Sequence, residues 1–325
     1  MIEVLRSGLL SSVQDLGRRG HAAIGVGGAG AMDRNALTLA NWLVGNEAGA
    51  AALECTLSGP RLRFATAACI AWCGADGDLR LDGEPLPTWR PLPVAAGQVL
   101  DAGSLRRGAR GYLAVAGGIA VTPVLGSRSV DVNAGLGPCN GRALQAGDRL
   151  PLSAAARPWL RCAPHWSLTA WPWFDATPGR VLRLLRGSHF DALDTASRSA
   201  LLREPFQVAS ESNRVGVRLL GPALQLAAPL ELVSAAVTAG TLQLPPGGQP
   251  IMLAAEHPTT GGYPRIAHLI ATDQPHLAQR RPGETVRLTL VEPDEAEAVR
   301  RRHAAALDRL HDHLRQRLRE LGCER

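Results

Sequence analysis

The sequence is 325 residues long and 46% apolar, with a net charge of +6, and all of its 35 basic residues are arginine. Without a lysine the chain offers no biotinyl-lysine, no Schiff base for pyridoxal phosphate and no P-loop phosphate clamp. The arginines are dispersed and only four Phe and two Tyr accompany them, which excludes a stacking platform for nucleic acid; no run of about 18 uncharged apolar residues marks a membrane span.

The opening Met1-Ile2-Glu3-Val4-Leu5-Arg6 lacks the basic-then-apolar layout of a secretion signal, so the cytoplasm is the expected compartment. A first helix is expected after Asp33, a candidate N-cap, because Leu37, Ala40, Leu43 and Val44 recur at helical spacing and Gly45 ends the run. Further on, short runs of Val, Leu and Ile are broken by Gly, Pro and Asp turns, as in Leu79-Arg80-Leu81-Asp82-Gly83-Glu84-Pro85. That pattern reads as mostly β with a few helices. Ser58-Gly59-Pro60-Arg61-Leu62 is echoed by Leu220-Gly221-Pro222-Ala223-Leu224, which suggests two related β domains. The expected division is an N-terminal β domain over 1–156, a Trp- and Pro-rich interdomain segment over 157–179, a second β domain over 180–292 and an amphipathic helix within 293–325. Trp159, Trp166, Trp171 and Trp173 imply that the linking segment packs against something. In the final helix, Val299, Ala306, Leu307, Leu310, Leu314, Leu318 and Leu321 form one stripe, suited to docking on the rest of the chain.

Several chemistries lack support. The six cysteines form no C-x-x-C pair and the nine histidines no ligand spacing, so neither disulfides nor a metal site is expected; Cys69 and Cys73 read as buried small hydrophobes on one strand face. No G-x-S-x-G elbow is present. Gly25-Val26-Gly27-Gly28-Ala29-Gly30 matches G-x-G-x-x-G, yet the polar, glycine-broken stretch before it is not the buried strand that a dinucleotide fold requires.

Read with its neighbours, that glycine segment belongs to a longer pattern. Ser12-Val13-Gln14-Asp15-Leu16-Gly17-Arg18 is followed by Gly30-Ala31-Met32-Asp33, Ala40-Asn41-Trp42-Leu43-Val44-Gly45-Asn46, Tyr112-Leu113-Ala114-Val115-Ala116-Gly117-Gly118 and Gly126-Ser127-Arg128-Ser129. The second half carries Ser212-Asn213-Arg214-Val215-Gly216, Gly240-Thr241-Leu242-Gln243 and Thr259-Thr260-Gly261-Gly262-Tyr263-Pro264. The order resembles the biotin-dependent carboxyltransferase family, the group similar to allophanate hydrolase subunit 2, and extends to about Val291. Two places depart from the family pattern: Ser234-Ala235-Ala236-Val237 stands where Ser-Glu-Gly-Val is usual, and Glu256-His257-Pro258 precedes Thr259-Thr260 where Asp-x-Gln is usual.

The resemblance implies two cyclophilin-like β-barrel domains with a cleft between them, plus the C-terminal helix. It also implies one of three roles. The first is the C-type component of an ATP-dependent 5-oxoprolinase, opening 5-oxoproline to glutamate together with A-type and B-type (KipI-like) subunits, ATP entering through the complex. The second is the carboxyltransferase component of a urea- or allophanate-type carboxylase, with biotin a ligand carried by another protein. The third is a non-catalytic KipA-like protein that captures a kinase inhibitor. Both reactions develop negative charge on a planar N–C(=O) group, which calls for fixed guanidinium or N–H donors. Arg214, Arg18 and Arg128 are the electrostatic candidates, against the alternative that they pair with Glu211, Asp15 and Asp131. Asp15 is a candidate acid or base, or the partner of an arginine. Gln14, Asn213, Gln243 and Gln249 offer amides that could read a lactam or ureido edge, or could serve strand-end hydrogen bonds, as is expected of Asn41. Thr259, Thr260 and Tyr263 lie in a small-residue loop suited to closing over a ligand or to a tight turn.

Overall fold

The computed structural model describes residues 1–153, 160–177 and 179–323. The expected boundary near 156 and the residues Pro158, Trp159 and Pro178 lie outside the described residues. The chain forms two compact units. Unit 1 comprises Met1–Arg18, Ala29–Ala176 and Ala306–Arg325; unit 2 comprises Arg19–Gly28 and Thr177–Ala305.

Unit 1 is built on a nine-stranded sheet. Its strands are β1 (Ile2–Arg6), β2 (Leu10–Gln14), β3 (Ala52–Thr56), β4 (Arg61–Phe64), β5 (Ala68–Leu81), β6 (Glu84–Pro85), β7 (Leu92–Val94), β8 (Val99–Val115) and β9 (Arg149–Leu150). β5 and β8 pair antiparallel along most of their length and form the spine. Alternation along β5 divides the interior in two: Ala68, Ile70 and Trp72 enter one core, while Cys69, Ala71 and Cys73 enter the other. The two cysteines thus share a buried face, as expected, and burial pushes the Cys73 thiol well above its ordinary range. The second core is closed by α1 (Arg34–Leu43). The Asp33 carboxylate accepts from the Ala36 N–H at 2.9 Å and caps that helix, a contact that contributes about 1 kcal/mol.

The apolar stripe of the final helix docks in the same core. Leu314 is buried there, with Ala306, Leu307, Leu310 and Leu321 packed against it, and His311 stacks on Trp42 at 4.4 Å between ring centroids. Residues 160–176 also group with unit 1, where Trp173 and Phe174 are buried and Trp166 packs beside them. Trp171 remains 62% exposed.

Unit 2 is a closed barrel whose strands are β10 (Val181–Arg186), β11 (Phe206–Val208), β12 (Gly216–Leu220), β14 (Thr241–Gln243), β15 (Ile251–Leu253), β17 (Arg265–Leu269) and β18 (Thr285–Leu290); β13 (Ala235–Ala236) and β16 (Thr260–Gly261) form a separate two-stranded ribbon. The barrel closes through a parallel pairing of β10 with β18. Leu182, Leu184, Phe206, Leu219, Leu242, Met252, Val286 and Leu288 fill its interior. The helices are α2 (Thr195–Arg203), α3 (Gln274–Ala278) and α4 (Pro293–Glu320), the last continuing into unit 1 from Ala306. No helix among the described residues is long and apolar enough to cross a membrane. The mostly β architecture agrees with the sequence reading; its two β units differ, one a closed barrel and the other a nine-stranded sheet with branches along β5.

Candidate functional site

The expected residues fall into two clusters, one in each unit. In unit 1, β2 ends in Gln14 and delivers Asp15 to a turn that reaches Gly17 and Arg18. The Asp15 carboxylate accepts from the Gly17 N–H at 2.7 Å, the Ser127 hydroxyl at 2.7 Å, the Ser129 hydroxyl at 2.5 Å and the Arg128 N–H at 2.6 Å. Arg18 is 4% exposed and donates through Nη2 to the Ser129 carbonyl at 2.5 Å. The result is a knot joining the end of β2 to a loop more than a hundred positions away in sequence. Gly30 belongs to the same turn: its φ of +94° is left-handed, and a Cβ there would stand 2.9 Å from the Gly17 Cα, so the close approach needs glycine.

Gln14 is fully buried; its Nε2 donates to Ser12 Oγ and to the Val130 carbonyl, both at 2.9 Å, while its Oε1 has no partner. Arg128 differs from Arg18 in being exposed, with its Nε donating to the Val121 carbonyl at 2.9 Å. Asp131, the suggested partner of Arg128, instead accepts from the Ala134 N–H at 3.0 Å. Val121 also lines a pocket of about 470 Å³ with Thr122, Pro138, Asn140, Arg142 and Asp148. Within it the Arg142 guanidinium grips both Asp148 oxygens at 2.8 Å and holds that carboxyl below the usual range, while Arg149 also lines the pocket.

In unit 2, Arg214 pairs through Nε with Glu256 at 2.5 Å, both side chains being 3% exposed. The partner lies 42 positions on and is not the neighbouring Glu211, whose carboxylate accepts from Ser210 Oγ at 3.0 Å. The Asn213 Oδ1 accepts from the Val215 and Gly216 N–H groups at 2.9 and 3.2 Å, which closes the turn into β12. Gln249 bonds both the N–H and the carbonyl of Gly221, at 2.9 and 3.1 Å. Their amides are engaged with backbone, as is that of Asn41, which donates to the Ala50 carbonyl at 2.8 Å.

Gln243 stands differently. It is 5% exposed, its Nε2 has no hydrogen-bond partner, and the β13–β16 ribbon passes directly over it. A Cβ on Gly261 would stand 2.6 Å from that nitrogen, so a side chain there would displace the Gln243 amide. Ala236 opposes Thr260 in the ribbon, and the Val237 N–H donates to the Thr259 carbonyl at 3.1 Å. One departing segment, 234–237, therefore pairs with the residues that directly follow the other. Thr260 and Tyr263 are exposed, Tyr263 by 47%.

The sequence reading overlooked Arg265, the register partner of Gln243 on β17. Its backbone is held by His189, whose Nδ1 accepts the Arg265 N–H at 3.1 Å. The basicity of His189 and of nearby His268 is lowered, first by burial and then by the charge of Arg265. A signal was available, because no acidic residue lies within seven positions of Arg265 and nothing local neutralises it.

Comparison with known proteins assigns the class. The structure matches that of the Kluyveromyces lactis urea amidolyase with a TM-score of 0.86 and 30% identity, over 96% of this chain and 20% of that one. The urea carboxylase of the same yeast matches equally well, over 29% of its length. This chain therefore spans less than a third of those solved proteins. The fold is that of the β-rich carboxyltransferase part of multidomain carboxylases. More narrowly, the chain belongs to the carboxyltransferase domain family, subdomain A and B, whose model matches residues 24–290. Relatives of its own length include the C-type 5-oxoprolinase component of Escherichia coli, 41% identical over 91% of this chain and 93% of the relative. The Haemophilus influenzae protein of the same name is 37% identical, over 95% of this chain and 97% of that relative.

Proposed function

We propose that this chain is the C-type component of an ATP-dependent 5-oxoprolinase, acting with A-type and B-type (KipI-like) partner subunits to open 5-oxoproline to glutamate. The observation that carries this reading is the 41% identity to a protein so named, across 93% of that protein's length. Fold alone would not suffice, since one fold hosts many chemistries. In this reading ATP is used by the complex, and any biotin is carried by another protein because this chain has no lysine.

The residues divide by what their polar atoms already do. In unit 2, Gln243, Thr259, Thr260 and Tyr263 supply contacts to substrate or to a partner-bound group; in unit 1, the exposed Arg128 is a separate contact of the same kind. Asp15, Arg18 and Arg214 hold the loops that carry those contacts, and Asn213 and Gln249 fix turns. Gln14, with one unmatched acceptor in a buried place, is suited to an N–H donor such as that of a lactam.

The test is reconstitution. The purified chain, both partner subunits and ATP are mixed with 5-oxoproline and glutamate release is followed; omission of this chain is expected to abolish turnover, and an unchanged rate overturns the proposal. The likeness to urea carboxylase favours carboxyl transfer as a second reading. Carboxylation of urea by this chain, when supplied with a biotin carboxylase and a biotinylated carrier, would select it.

A further inference from the structure

Gln243 and Arg265 are register partners on β14 and β17 and lie on the outer wall of the barrel, because their chain neighbours Leu242 and Ile266 enter the core and the register shifts between Leu242 and Gln243. Both bring N–H groups that unit 2 leaves unmatched. The Gln243 Nε2 is buried without an acceptor, and the only side-chain bond of the Arg265 guanidinium among the described residues is a long one, 3.4 Å, to the Ala236 carbonyl. Buried donors without acceptors weaken a fold, and native proteins satisfy nearly all of them. The buried Gln243 amide donor, beside a partly exposed guanidinium with one long bond, forms a surface suited to a pair of acceptor oxygens.

The neighbours do not supply them. His189 turns its Nδ1 to the Arg265 backbone, and the His268 Nδ1 lies 3.3 Å from Thr241 Oγ1. The cover is slight, since each strand of the β13–β16 ribbon has two residues and Thr260 is exposed. So short a ribbon opens at little cost compared with the barrel beneath it.

We propose that the Gln243 amide nitrogen and the Arg265 guanidinium form a carboxylate-binding pair beneath the β13–β16 ribbon, and that they hold the carboxylate of 5-oxoproline. The carboxylate chemistry follows from the unmatched donors; its assignment to 5-oxoproline rests on the function proposed above. A planar guanidinium and an in-plane amide N–H complement the two oxygens of one carboxylate.

Binding to the purified full-length chain tests this, measured by calorimetry with 5-oxoproline, with acetate, and with 2-pyrrolidinone, the same lactam without its carboxylate. Acetate is expected to compete with 5-oxoproline and 2-pyrrolidinone is not. Arg265→Gln and Gln243→Leu are each expected to weaken 5-oxoproline about tenfold or more while far-UV circular dichroism and the unfolding midpoint stay near wild type. Wild-type affinity in both variants, 2-pyrrolidinone binding as tightly as 5-oxoproline, or no carboxylate binding by either the chain or the assembled complex overturns the site. Site and role fail separately. If turnover is independent of this chain while acetate still binds through Arg265, the 5-oxoprolinase role falls and the carboxylate site stands. If turnover needs the chain but Arg265→Gln leaves the KM for 5-oxoproline unchanged, the site falls and the role stands.

Discussion

The Asp15 knot of unit 1 and the Gln243–Arg265 pair of unit 2 are both built from polar side chains, but their polar atoms are in opposite states. Asp15 accepts four hydrogen bonds and uses them to fasten Gly17 to the loop at Ser127, Arg128 and Ser129. Gln243 has a buried donor without a partner, and Arg265 reaches one carbonyl. A saturated polar cluster has little left to offer a ligand and much to lose on mutation. An unsaturated one weakens the fold and gains when a ligand arrives. The degree of saturation separates scaffold from site where the residue types alone do not.

The sharpest test removes a saturated partner in unit 2 itself. Glu256→Ala leaves the Arg214 guanidinium buried without its carboxylate and is expected to cost about 3–5 kcal/mol in urea unfolding. Asp15→Ala strands four donors and is expected to cost about 3 kcal/mol. The more conservative Asp15→Asn can break the comparison: lost turnover with unchanged stability would make Asp15 a chemical group and not a fastener. Gln243→Leu should have the opposite sign, leaving stability unchanged or raising it by about 1 kcal/mol, since it removes an orphan donor; a large loss would show that the amide has a structural partner.

The smallest effect concerns pH. His189 and His268 have folded-state basicities below the ordinary value of 6.5, so the folded state binds fewer protons than the unfolded chain near that pH. Their contribution is present above pH 6.5 and lost as pH falls from there towards the lowered folded values. The unfolding midpoint should drop between about pH 7.5 and 5.5, and a His189→Gln, His268→Gln double variant should drop less.

Local features of the fold were legible in the sequence. Asp33 and the spacing of Leu37, Ala40 and Leu43 specify α1, and the stripe ending at Leu321 specifies both the final helix and its buried face. What escaped reading depends on distant pairings. Nothing near Arg214 points to Glu256, and nothing near Asp15 points to the serines at 127 and 129, because these partners meet only once the strands have paired. Arg265 was hidden for another reason: it follows Pro264 and lacks the Gly or Ser neighbours that mark Arg18, Arg128 and Arg214, and it is made available by the absence of acids around it. Gln243 stands out by motif, but its unmatched donor is a property of the folded arrangement alone.

The docking of Leu314 and the stacked His311 into the core that α1 closes bears on how the molecule is made. A ribosome releases residues in order, and domains tend to fold as units as they emerge. Unit 2 has all of its residues by Ala305, whereas unit 1, begun first, lacks part of its core until the stretch beyond Ala306 is translated. The first unit to start is therefore the last to finish, and its nascent sheet waits through the synthesis of the whole barrel with the Trp42 ring not yet stacked on His311.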